Sequence, residues 1–426
     1  MSSLEVTARG PLRGEVRVPG DKSASHRALM LSALSDGAST IEGLSPGDDV
    51  AATSRIVVQL GARRSDNAGV ITVTGPSRGL RASAEPLDCG NSGTTMRLMA
   101  GVVSGIAGEH RLIGDASLAR RPMDRIATPL TLMGATVGGQ GERMTAPLVI
   151  EGRDELRAID YHVPVPSAQV KSAILLAALR APGHSVVRED LRTRTTTEDM
   201  LRHAGVTLHS IDLGEGREVT VTPSRPLATH WTVPGDPSQA AFFAVLGCVH
   251  DDAVIEVAPI DHARERIGFI GVLLRMGALV RLEARGDTSR LHAQSSELRA
   301  TEVFAREIPS VDEVPILAVA AAAAKGVSAF REMGELRVKE SNRFESTMAL
   351  ARALGCRVWH EGDDLFIEGR GSARSFGHFS FDPGLDHRMV MAAAVAGAAG
   401  SGCAISGAGT VSTSYPDFFS DLDSLQ

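Results

Sequence analysis

The chain has 426 residues, 43% of them hydrophobic, and a formal net charge of −7. A chain of this length can bury a large core and is expected to fold as two or three domains. The negative charge argues against a general nucleic-acid partner, and an aromatic content of 4% leaves few rings for base stacking. Any anion-binding site must therefore be a local cluster of Arg and Lys.

The cysteines and the chain start indicate the compartment. Cys89, Cys248, Cys356 and Cys403 are scattered without metal-ligand spacing, which is typical of structural thiols in a reducing compartment. The first residues lack the basic and apolar pattern of a signal peptide. The apolar run 389–400 is too short to span a bilayer. The sequence therefore predicts a cytoplasmic protein with neither membrane nor nucleic acid among its partners.

The first predicted helix follows a Pro-Gly turn, where the polar residues 20–27 run into the apolar residues 28–34. That order is typical of a buried helix with a charged, hydroxyl-rich start. We expect Lys22, Ser23 and Arg27 in its first turn, where free N–H groups and the helix dipole favour anions. Taken alone, the motif fits an ordinary capped helix with solvated charges equally well.

The same arrangement recurs along the chain at a spacing of roughly 70 to 80 residues, which is a signature of repeat architecture. Further copies begin near residues 89, 166, 234, 311 and 385. After its buried helix each copy continues with a strand, a more amphipathic helix that ends at Gly, and further strands. The predicted unit is βαβαββ, and the sixth copy is cut short near Tyr415.

A longer-range echo divides the chain into two similar halves. The stretch Val-Pro-Gly-Asp beginning at Val18 recurs at Val233. We therefore expect residues 19–233 to form one α/β domain of three repeats, and residues 1–18 together with 234–426 to form the other. In this division the N-terminal strand pairs back into the second domain.

Cationic side chains lie at or near these predicted helix starts. They are Lys22, Arg27, Arg121, Arg194, Lys339, Arg343 and Arg388, with hydroxyls and amides at Ser23, Asn91, Thr94, Ser167 and Gln169. A cation opposes the dipole at a helix N-terminus, so it costs stability there unless an anion binds. One such cation is more often a solvated charge, but recurrence at equivalent points of the repeat favours an anion site.

Two carboxylates, Asp312 and Glu340, lie among these cations. Asp312 precedes an apolar run, so a helix N-cap explains it equally well. Glu340 is expected to open a helix, where a first-turn Glu is ordinary. Flanked by cations, either acid would stay ionised, and a carboxylate beside a bound phosphate can transfer protons.

Other site motifs are missing from the sequence. The stretch 90–94 lacks the ending of a Walker phosphate-binding loop. The histidines form no ligand pair at helical spacing, so no metal site is predicted. There is also no Gly-x-Ser-x-Gly motif to support a hydrolase.

At this point the motifs resemble those of the enolpyruvylshikimate-phosphate synthase family over essentially the whole chain. They are GDKSASHR from Gly20, DCGNSGTTMR from Asp88, GDASLARRPM from Gly114, PSAQVKSA from Pro166, VDEVP from Val311, LRVKESNR from Leu336 and DHR from Asp386. Seven motifs in the right order and spacing make a chance match very improbable.

The resemblance implies an inside-out α/β fold: two similar domains of three repeats, helices inside, sheets outside, and the active site in the interdomain cleft. It implies transfer of the enolpyruvyl group of phosphoenolpyruvate to the 5-hydroxyl of shikimate 3-phosphate, with release of phosphate. It implies no metal and no organic cofactor, and a monomer.

Residue by residue, the resemblance assigns Lys22 to both substrates. The set implied for shikimate 3-phosphate is Lys22, Ser23, Arg27, Ser167, Ala168, Gln169, Arg194, Asp312 and Lys339. The set implied for phosphoenolpyruvate is Lys22, Asn91, Gly93, Thr94, Arg121, Gln169, Arg343 and Arg388. The implied catalytic residues are Lys22, Asp312 and Glu340, with Asp312 at the attacking hydroxyl and Glu340 with Lys22 at the methyl proton.

The sequence departs from the family pattern in three places. The segment around Arg194 reads Thr-Arg-Thr-Thr-Thr-Glu where Ser-Arg-Asp-His-Thr-Glu is usual, and Asn342 replaces an Asp. Thr413 stands where many members carry a phosphate-binding Lys, so no catalytic role is assigned there. Resistant members can carry Ala at the place of Gly93, so Gly predicts sensitivity to the inhibitor glyphosate.

Two other functions compete with this assignment. The sister enolpyruvyl transferases that act on UDP-linked N-acetylglucosamine usually open with a Lys-Asn pair and a mobile-loop Cys. Here Ser23 follows Lys22, and Cys89 is expected at a helix start. A non-catalytic binding protein of the same architecture would keep the cations and lose the acids, whereas Asp312 and Glu340 are both present.

Overall fold

The computed structural model describes residues 3–308 and 310–425. The chain forms two compact units: one comprises Lys22–Val233, and the other comprises the residues up to Asp21 together with those from Pro234 onward. The sequence-based boundary at residue 19 lies slightly earlier. The difference arises because Gly20 pairs with Gly235, and the Asp21 N–H donates to the Pro234 carbonyl oxygen at 2.7 Å.

The helices and strands alternate along the described chain. The α-helices are α1 (Lys22–Leu34), α2 (Asp48–Gln59), α3 (Gly93–Ser104), α4 (Asp124–Leu132), α5 (Ala168–Ala178), α6 (Thr196–His203), α7 (Pro237–Val249), α8 (Gly268–Arg275), α9 (Val314–Ala323), α10 (Arg343–Ala353), α11 (His387–Ala399) and α12 (Phe418–Ser424). The strands are β1 (Ser3–Val6), β2 (Leu12–Val16), β3 (Gly37–Glu42), β4 (Arg63–Asn67), β5 (Val70–Gly75), β6 (Leu87–Asp88), β7 (Gly108–Ile113), β8 (Thr136–Gln140), β9 (Thr145–Gly152), β10 (Asp160–Val163), β11 (Ser185–Glu189), β12 (Leu208–Leu213), β13 (Gly216–Val221), β14 (His230–Thr232), β15 (Ala253–Ile260), β16 (Leu279–Arg285), β17 (Thr288–Gln294), β18 (Glu302–Phe304), β19 (Val327–Arg331), β20 (Arg357–Glu361), β21 (Asp364–Glu368), β22 (Phe379–Phe381) and β23 (Cys403–Ser406).

The predicted βαβαββ repeat is confirmed by the sheets. Three four-stranded sheets belong to the unit Lys22–Val233, in the orders β14-β3-β5-β4, β6-β7-β9-β8 and β10-β11-β13-β12. In each, the first two strands run parallel around a buried helix, and the last pair is an antiparallel hairpin. A parallel pair needs a crossover, and the helix provides it.

The other unit repeats this pattern with strands drawn from both ends of the chain. Its sheets have the orders β16-β17-β15-β2, β18-β19-β21-β20 and β1-β23-β22. The N-terminal strands pair back as expected, β2 parallel to β15 and β1 antiparallel to β23. The sixth repeat is the incomplete one, since its sheet has only three described strands.

The first helix of each repeat lies inside its unit. Every residue of α7, α9 and α11 is buried, and most residues of α1, α3 and α5 are buried as well. These helices are apolar nearly all round, so only an interior position removes their surface from water. The sheets therefore cover a helical core in each unit.

The second helix of each complete repeat ends as predicted. Glycines with φ between 79° and 111° directly follow the helix ends of α2, α4, α6, α8 and α10: Gly61, Gly134, Gly205, Gly277 and Gly355. This left-handed conformation carries little steric cost for Gly, which explains the repeated signal. None of the described helices combines the length and apolar content needed to cross a membrane.

Candidate functional site

In the unit Lys22–Val233, hydrogen bonds join the polar starts of α1, α2 and α3. Lys22 opens α1, and its Nζ lies 3.0 Å from Oδ2 of Asp49 in the first turn of α2. Next to it, the Nδ1 of buried His26 lies 2.7 Å from Thr53 Oγ1, which lies 2.8 Å from Thr95 Oγ1 in α3. Burial lowers the pKa of His26 well below its usual value, so this imidazole stays neutral. The Lys22 ammonium is thus held in place by its neighbours.

Asn91 and Arg121 are in direct contact. Nη2 of the buried Arg121 donates to Asn91 Oδ1 at 2.8 Å, and the Asn91 amide donates to Asp115 Oδ2 at 2.7 Å. Arg121 also donates to Ser117 Oγ at 3.3 Å. Asp115 therefore orients the amide that orients the guanidinium, and the sequence had shown no role for it.

Gly93 and Gln169 surround a second guanidinium, that of Arg97. Arg97 Nη1 donates to Gln169 Oε1 at 2.7 Å, and Gln169 Nε2 donates to Thr94 Oγ1 at 2.9 Å. A Cβ placed on Gly93 would lie 2.9 Å from Arg97 Nη1 and 3.1 Å from Arg121 Nη1. The absence of a side chain at Gly93 lets both cations approach the start of α3.

Arg27 lies deeper than predicted. It is the sixth residue of α1 rather than a first-turn residue, because the helix begins at Lys22. Its guanidinium donates to the Ser23 carbonyl oxygen at 2.9 Å, to Ser172 Oγ at 2.8 Å and to Thr197 Oγ1 at 2.6 Å. Arg27 thus ties α1 to α5 and α6.

The remaining predicted residues of this unit lie at two further helix starts. Ser167 is the N-cap of α5, where its hydroxyl accepts from the Val170 N–H at 3.3 Å, and Ala168 is the first residue of that helix. Arg194 lies in the loop just before α6. We call the first cluster the set Lys22, Asn91, Thr94, Arg121 and Gln169.

The second cluster belongs to the other unit and is centred on Arg343. The Arg343 side chain is fully buried, and it makes ion pairs with Asp386, Glu340 and Asp312. Burial alone would lower its pKa, but the charges of Asp386, Glu340 and Asp312 outweigh burial and raise the Arg343 pKa. The guanidinium is therefore permanently charged. We call the second cluster the set Asp312, Glu340, Arg343, Asp386 and Arg388.

Asp312 is not the N-cap that its position allowed. The N-cap of α9 is Glu313, and no side chain caps that helix. The Asp312 carboxylate instead lies 3.2 Å from Arg343 Nη1 and 3.6 Å from Arg388 Nη2. Asp312 is thus a partly exposed acid between two buried guanidinium groups, which is an arrangement that can present an ionised carboxylate to a ligand.

Glu340 does not open a helix, because α10 begins at Arg343 with Asn342 as its N-cap. Asn342 accepts from the Glu345 N–H at 3.3 Å, so the substituted Asn serves as a cap. Glu340 lies in the loop before it and contacts Arg343 Nη2. The loop position places this second acid beside the same guanidinium as Asp312.

Asp386 and Lys339 complete this cluster and its surroundings. Asp386 caps α11 by accepting from the Arg388 N–H at 3.0 Å and also accepts from Arg343 Nε at 2.9 Å. Lys339 donates to the Ser310 carbonyl oxygen at 2.9 Å. The sequence did not single out Asp386 as a partner of Arg343, because their contact depends on the packing of α10 on α11.

Metal and thiol chemistry find no support within the described ranges. They contain no group of three or more His, Cys, Asp or Glu side chains that could hold a metal ion. All four cysteines are free and buried, and Cys89 lies before α3 rather than at its start. Burial raises the pKa of Cys403 to about 12 and that of Cys356 to about 11, so both stay protonated at neutral pH.

The two units and their clusters together define a repeat-built α/β protein whose helix starts gather cations, hydroxyls and carboxylates, the class of the enolpyruvyl transferases. The family model described as EPSP synthase (3-phosphoshikimate 1-carboxyvinyltransferase) matches residues 6–422. The chain belongs to the EPSP synthase family.

Relatives and solved structures agree with this membership. A 3-phosphoshikimate 1-carboxyvinyltransferase of Streptococcus uberis is 39% identical over 432 residues, which cover 99% of both chains. One from Nitrobacter winogradskyi is 42% identical and covers 97% of this chain and 95% of that protein. The EPSP synthase structure from Acinetobacter baumannii has a TM-score of 0.86 at 34% identity, covering 99% of this chain and 98% of that one. The enolpyruvyl transferase NikO from Streptomyces tendae, at 18% identity and a TM-score of 0.77, shows the shared fold alone.

Proposed function

We propose that this protein transfers the enolpyruvyl group of phosphoenolpyruvate to the 5-hydroxyl of shikimate 3-phosphate and releases phosphate, a step of aromatic amino-acid biosynthesis. The observation that carries the proposal is the pairing of two acids, Asp312 and Glu340, with the one buried guanidinium of Arg343. Such a group supplies both ionised carboxylates and a fixed cation for a substrate that carries phosphate and carboxylate. Family membership over residues 6–422 supports the substrates.

The proposed reaction is an addition followed by an elimination. The acceptor hydroxyl loses its proton to a base as its oxygen attacks C2 of phosphoenolpyruvate, and C3 gains a proton to become a methyl group. The tetrahedral intermediate then loses one methyl proton as the C2–O bond to phosphate breaks. The products are the enolpyruvyl ether and inorganic phosphate, so atoms and charge balance.

We assign the proton transfers to three residues. Asp312 takes the proton of the attacking hydroxyl, since its carboxylate is partly exposed between Arg343 and Arg388. Glu340 together with Lys22 serves the proton at C3. The charges of Arg343 and Lys22 keep the bound anions in place while neither group needs to change protonation state.

Binding is divided between the clusters. We propose that shikimate 3-phosphate contacts Lys22, Ser23, Arg27, Ser167, Ala168, Gln169, Arg194, Asp312 and Lys339. We propose that phosphoenolpyruvate contacts Lys22, Asn91, Gly93, Thr94, Arg121, Gln169, Arg343 and Arg388. The proposal draws on the motif resemblance, and the buried guanidinium groups suit it because planar Arg forks match phosphate and carboxylate.

Deuterium incorporation tests this function and its mechanism. The protein is incubated with both substrates in D₂O, and the products are followed by NMR. We expect an enolpyruvyl ether of shikimate 3-phosphate that carries deuterium in its vinyl CH₂, because C3 is protonated from a solvent-exchanged acid and then deprotonated. Formation of the ether without deuterium would contradict the proton assignments, and absence of the ether would contradict the function.

Gly93→Ala is expected to raise the KM for phosphoenolpyruvate several-fold and to weaken inhibition by glyphosate more strongly. The added methyl group would lie 2.9 Å from Arg97 and 3.1 Å from Arg121, so both guanidinium ends must shift. Turnover and inhibition of the two proteins are compared, with Gly138→Ala on β8 as the control, since a Cβ there meets nothing closer than 3.8 Å. Unchanged inhibition in Gly93→Ala, or a wild-type enzyme that works normally at millimolar glyphosate, would contradict this prediction.

The pH dependence of acceptor use is expected to report Lys339. Burial lowers the Lys339 pKa below the ordinary 10.5, with Asp312 opposing and Arg343 reinforcing that effect. The ammonium attracts an anion only while protonated, so kcat/KM for shikimate 3-phosphate should fall as pH rises through this lowered pKa. Lys339→Arg should move the fall to higher pH, since guanidinium stays charged. An identical fall in both proteins would assign it to another group.

We further propose that the protein works as a monomer in the cytoplasm. The four free, buried cysteines suit a reducing compartment. Sedimentation of the purified protein tests the monomer, and a mass of twice 44.8 kDa would contradict it.

A further inference from the structure

We propose that Lys171 is a positioning residue for the acceptor, holding in place the two cations Arg27 and Arg194. The inference rests on the proposed function, which assigns both cations to shikimate 3-phosphate. Lys171 lies in α5, one helical turn after its first residues, and its side chain has no exposed surface. Nothing in the reaction described above uses it.

Lys171 is the centre of a buried group of three charges. Its Nζ lies 2.9 Å from Glu189 Oε1 and 2.8 Å from Glu198 Oε1, and the two glutamates are 1% and 0% exposed. Lys and Glu are almost never fully buried unless they are paired, because removing each charge from water is costly. A core built only for stability would have apolar side chains here, so the group calls for another role.

Glu189 fastens the loop that carries Arg194. Glu189 is the last residue of β11, and its carboxylate accepts from the Thr193 N–H at 3.0 Å and from the Thr193 hydroxyl at 2.7 Å. Thr193 directly precedes Arg194. The Lys171 ammonium therefore holds the carboxylate that fixes the backbone next to this cation.

Glu198 fastens the start of α6 against α5 at the point where Arg27 arrives. The neighbouring Thr197 lies 2.6 Å from Arg27 Nε and 2.6 Å from Ser172 Oγ. Ser172, which follows Lys171 in the chain, accepts from Arg27 Nη2 at 2.8 Å. Lys171 thus anchors both neighbours of the Arg27 guanidinium, one through Glu198 and one through its own helix.

This arrangement accounts for the altered segment around Arg194. Residues 193–198 lack the acid and the imidazole that are usual in the resembled family. The loop is nevertheless fixed at both ends, by Glu189 at Thr193 and by Lys171 at Glu198. The segment can therefore hold Arg194 without the usual side chains.

The test is Lys171→Met, with steady-state kinetics for each substrate in turn. We expect KM for shikimate 3-phosphate to rise about tenfold or more, while KM for phosphoenolpyruvate and kcat stay within about twofold. A role in stability alone predicts a lower melting temperature with both KM values unchanged. The control is Leu175→Ala, a fully buried truncation in the same helix, which should lower the melting temperature and leave both KM values unchanged.

A triple variant covers the case in which Lys171→Met fails to fold with two unpaired carboxylates. Replacing Lys171, Glu189 and Glu198 together by Met removes all three charges, and apolar replacement of a buried ionic group is often neutral for stability. We expect its acceptor KM to remain raised at a normal melting temperature. An acceptor KM equal to that of the wild type, or an equal rise for both substrates, would overturn the inference. Failure of the wild type itself to form product would instead overturn the proposed function.

Discussion

Asp312→Ala should lower kcat by about 10²–10⁴-fold, the usual contribution of a positioned proton-transfer group. The substitution removes the carboxylate that lies between Arg343 and Arg388. Both guanidinium groups remain, and each loses a competing anion, so binding of phosphoenolpyruvate should persist or become tighter. Turnover is measured with saturating substrates, and phosphoenolpyruvate binding is measured by calorimetry. A kcat near that of the wild type would exclude Asp312 as the base.

The matched control for Asp312 is Asp364→Ala in the same unit. The Asp364 side chain is 29% exposed against 21% for Asp312, and it likewise pairs with an arginine, Arg331 at 2.9 Å. It lies on β21, within an outer sheet. The hydrogen bond from the Glu332 N–H lowers the Asp364 pKa, so this acid is also ionised. We expect kcat of this variant to equal that of the wild type.

Arg266→Met should destabilise the protein by about 3–5 kcal/mol, the usual cost of removing one partner from a buried ion pair. The Arg266 side chain is 3% exposed, and its Nη2 bonds Asp236 at 2.7 Å and also contacts Asp21. Burial would lower the Arg266 pKa, but the charges of Asp21, Asp236, Glu313 and Asp261 raise it above the ordinary value. Without the cation, two carboxylates that are 3% and 4% exposed lose their partner.

Urea unfolding of this variant at two pH values gives the sign of the effect. Unpaired buried carboxylates have raised pKa values, so the folded variant binds more protons than the unfolded chain. Its deficit relative to the wild type should therefore shrink as pH falls from 7 toward 5. Arg275→Met is the control: its exposed pair with Glu307 should contribute less than about 1 kcal/mol. Equal stability of both variants would contradict the account of Arg266.

The repeat and its boundaries could be predicted from the sequence because their signals are local. A run of apolar residues predicts a buried helix, and α11 is buried along its whole length. A Gly after the second helix predicts its end, and Gly134 adopts φ 104° at that point. The N-terminal strand pairing was also predictable, since the echo of Val18 at Val233 divides the chain into halves.

The pairing of side chains could not be predicted, since it depends on contacts between distant segments. Asp312 and Glu340 each fit an ordinary helix role by sequence, yet both contact Arg343, which only the packing of the unit brings near Asp312. Arg27 was expected at a helix start, and its depth follows from where α1 begins. Asp49 and Arg97 gave no signal of their own, although they contact Lys22 and Gln169.

The most direct test of the central claim is phosphate release from phosphoenolpyruvate by the purified protein, with two acceptors compared. The acceptors are shikimate 3-phosphate and UDP-N-acetylglucosamine, each at saturating concentration, with a reaction lacking acceptor as the blank. We predict phosphate release with shikimate 3-phosphate alone, at one phosphate for each enolpyruvyl ether formed. Release with UDP-N-acetylglucosamine alone, or with neither acceptor, would contradict the account.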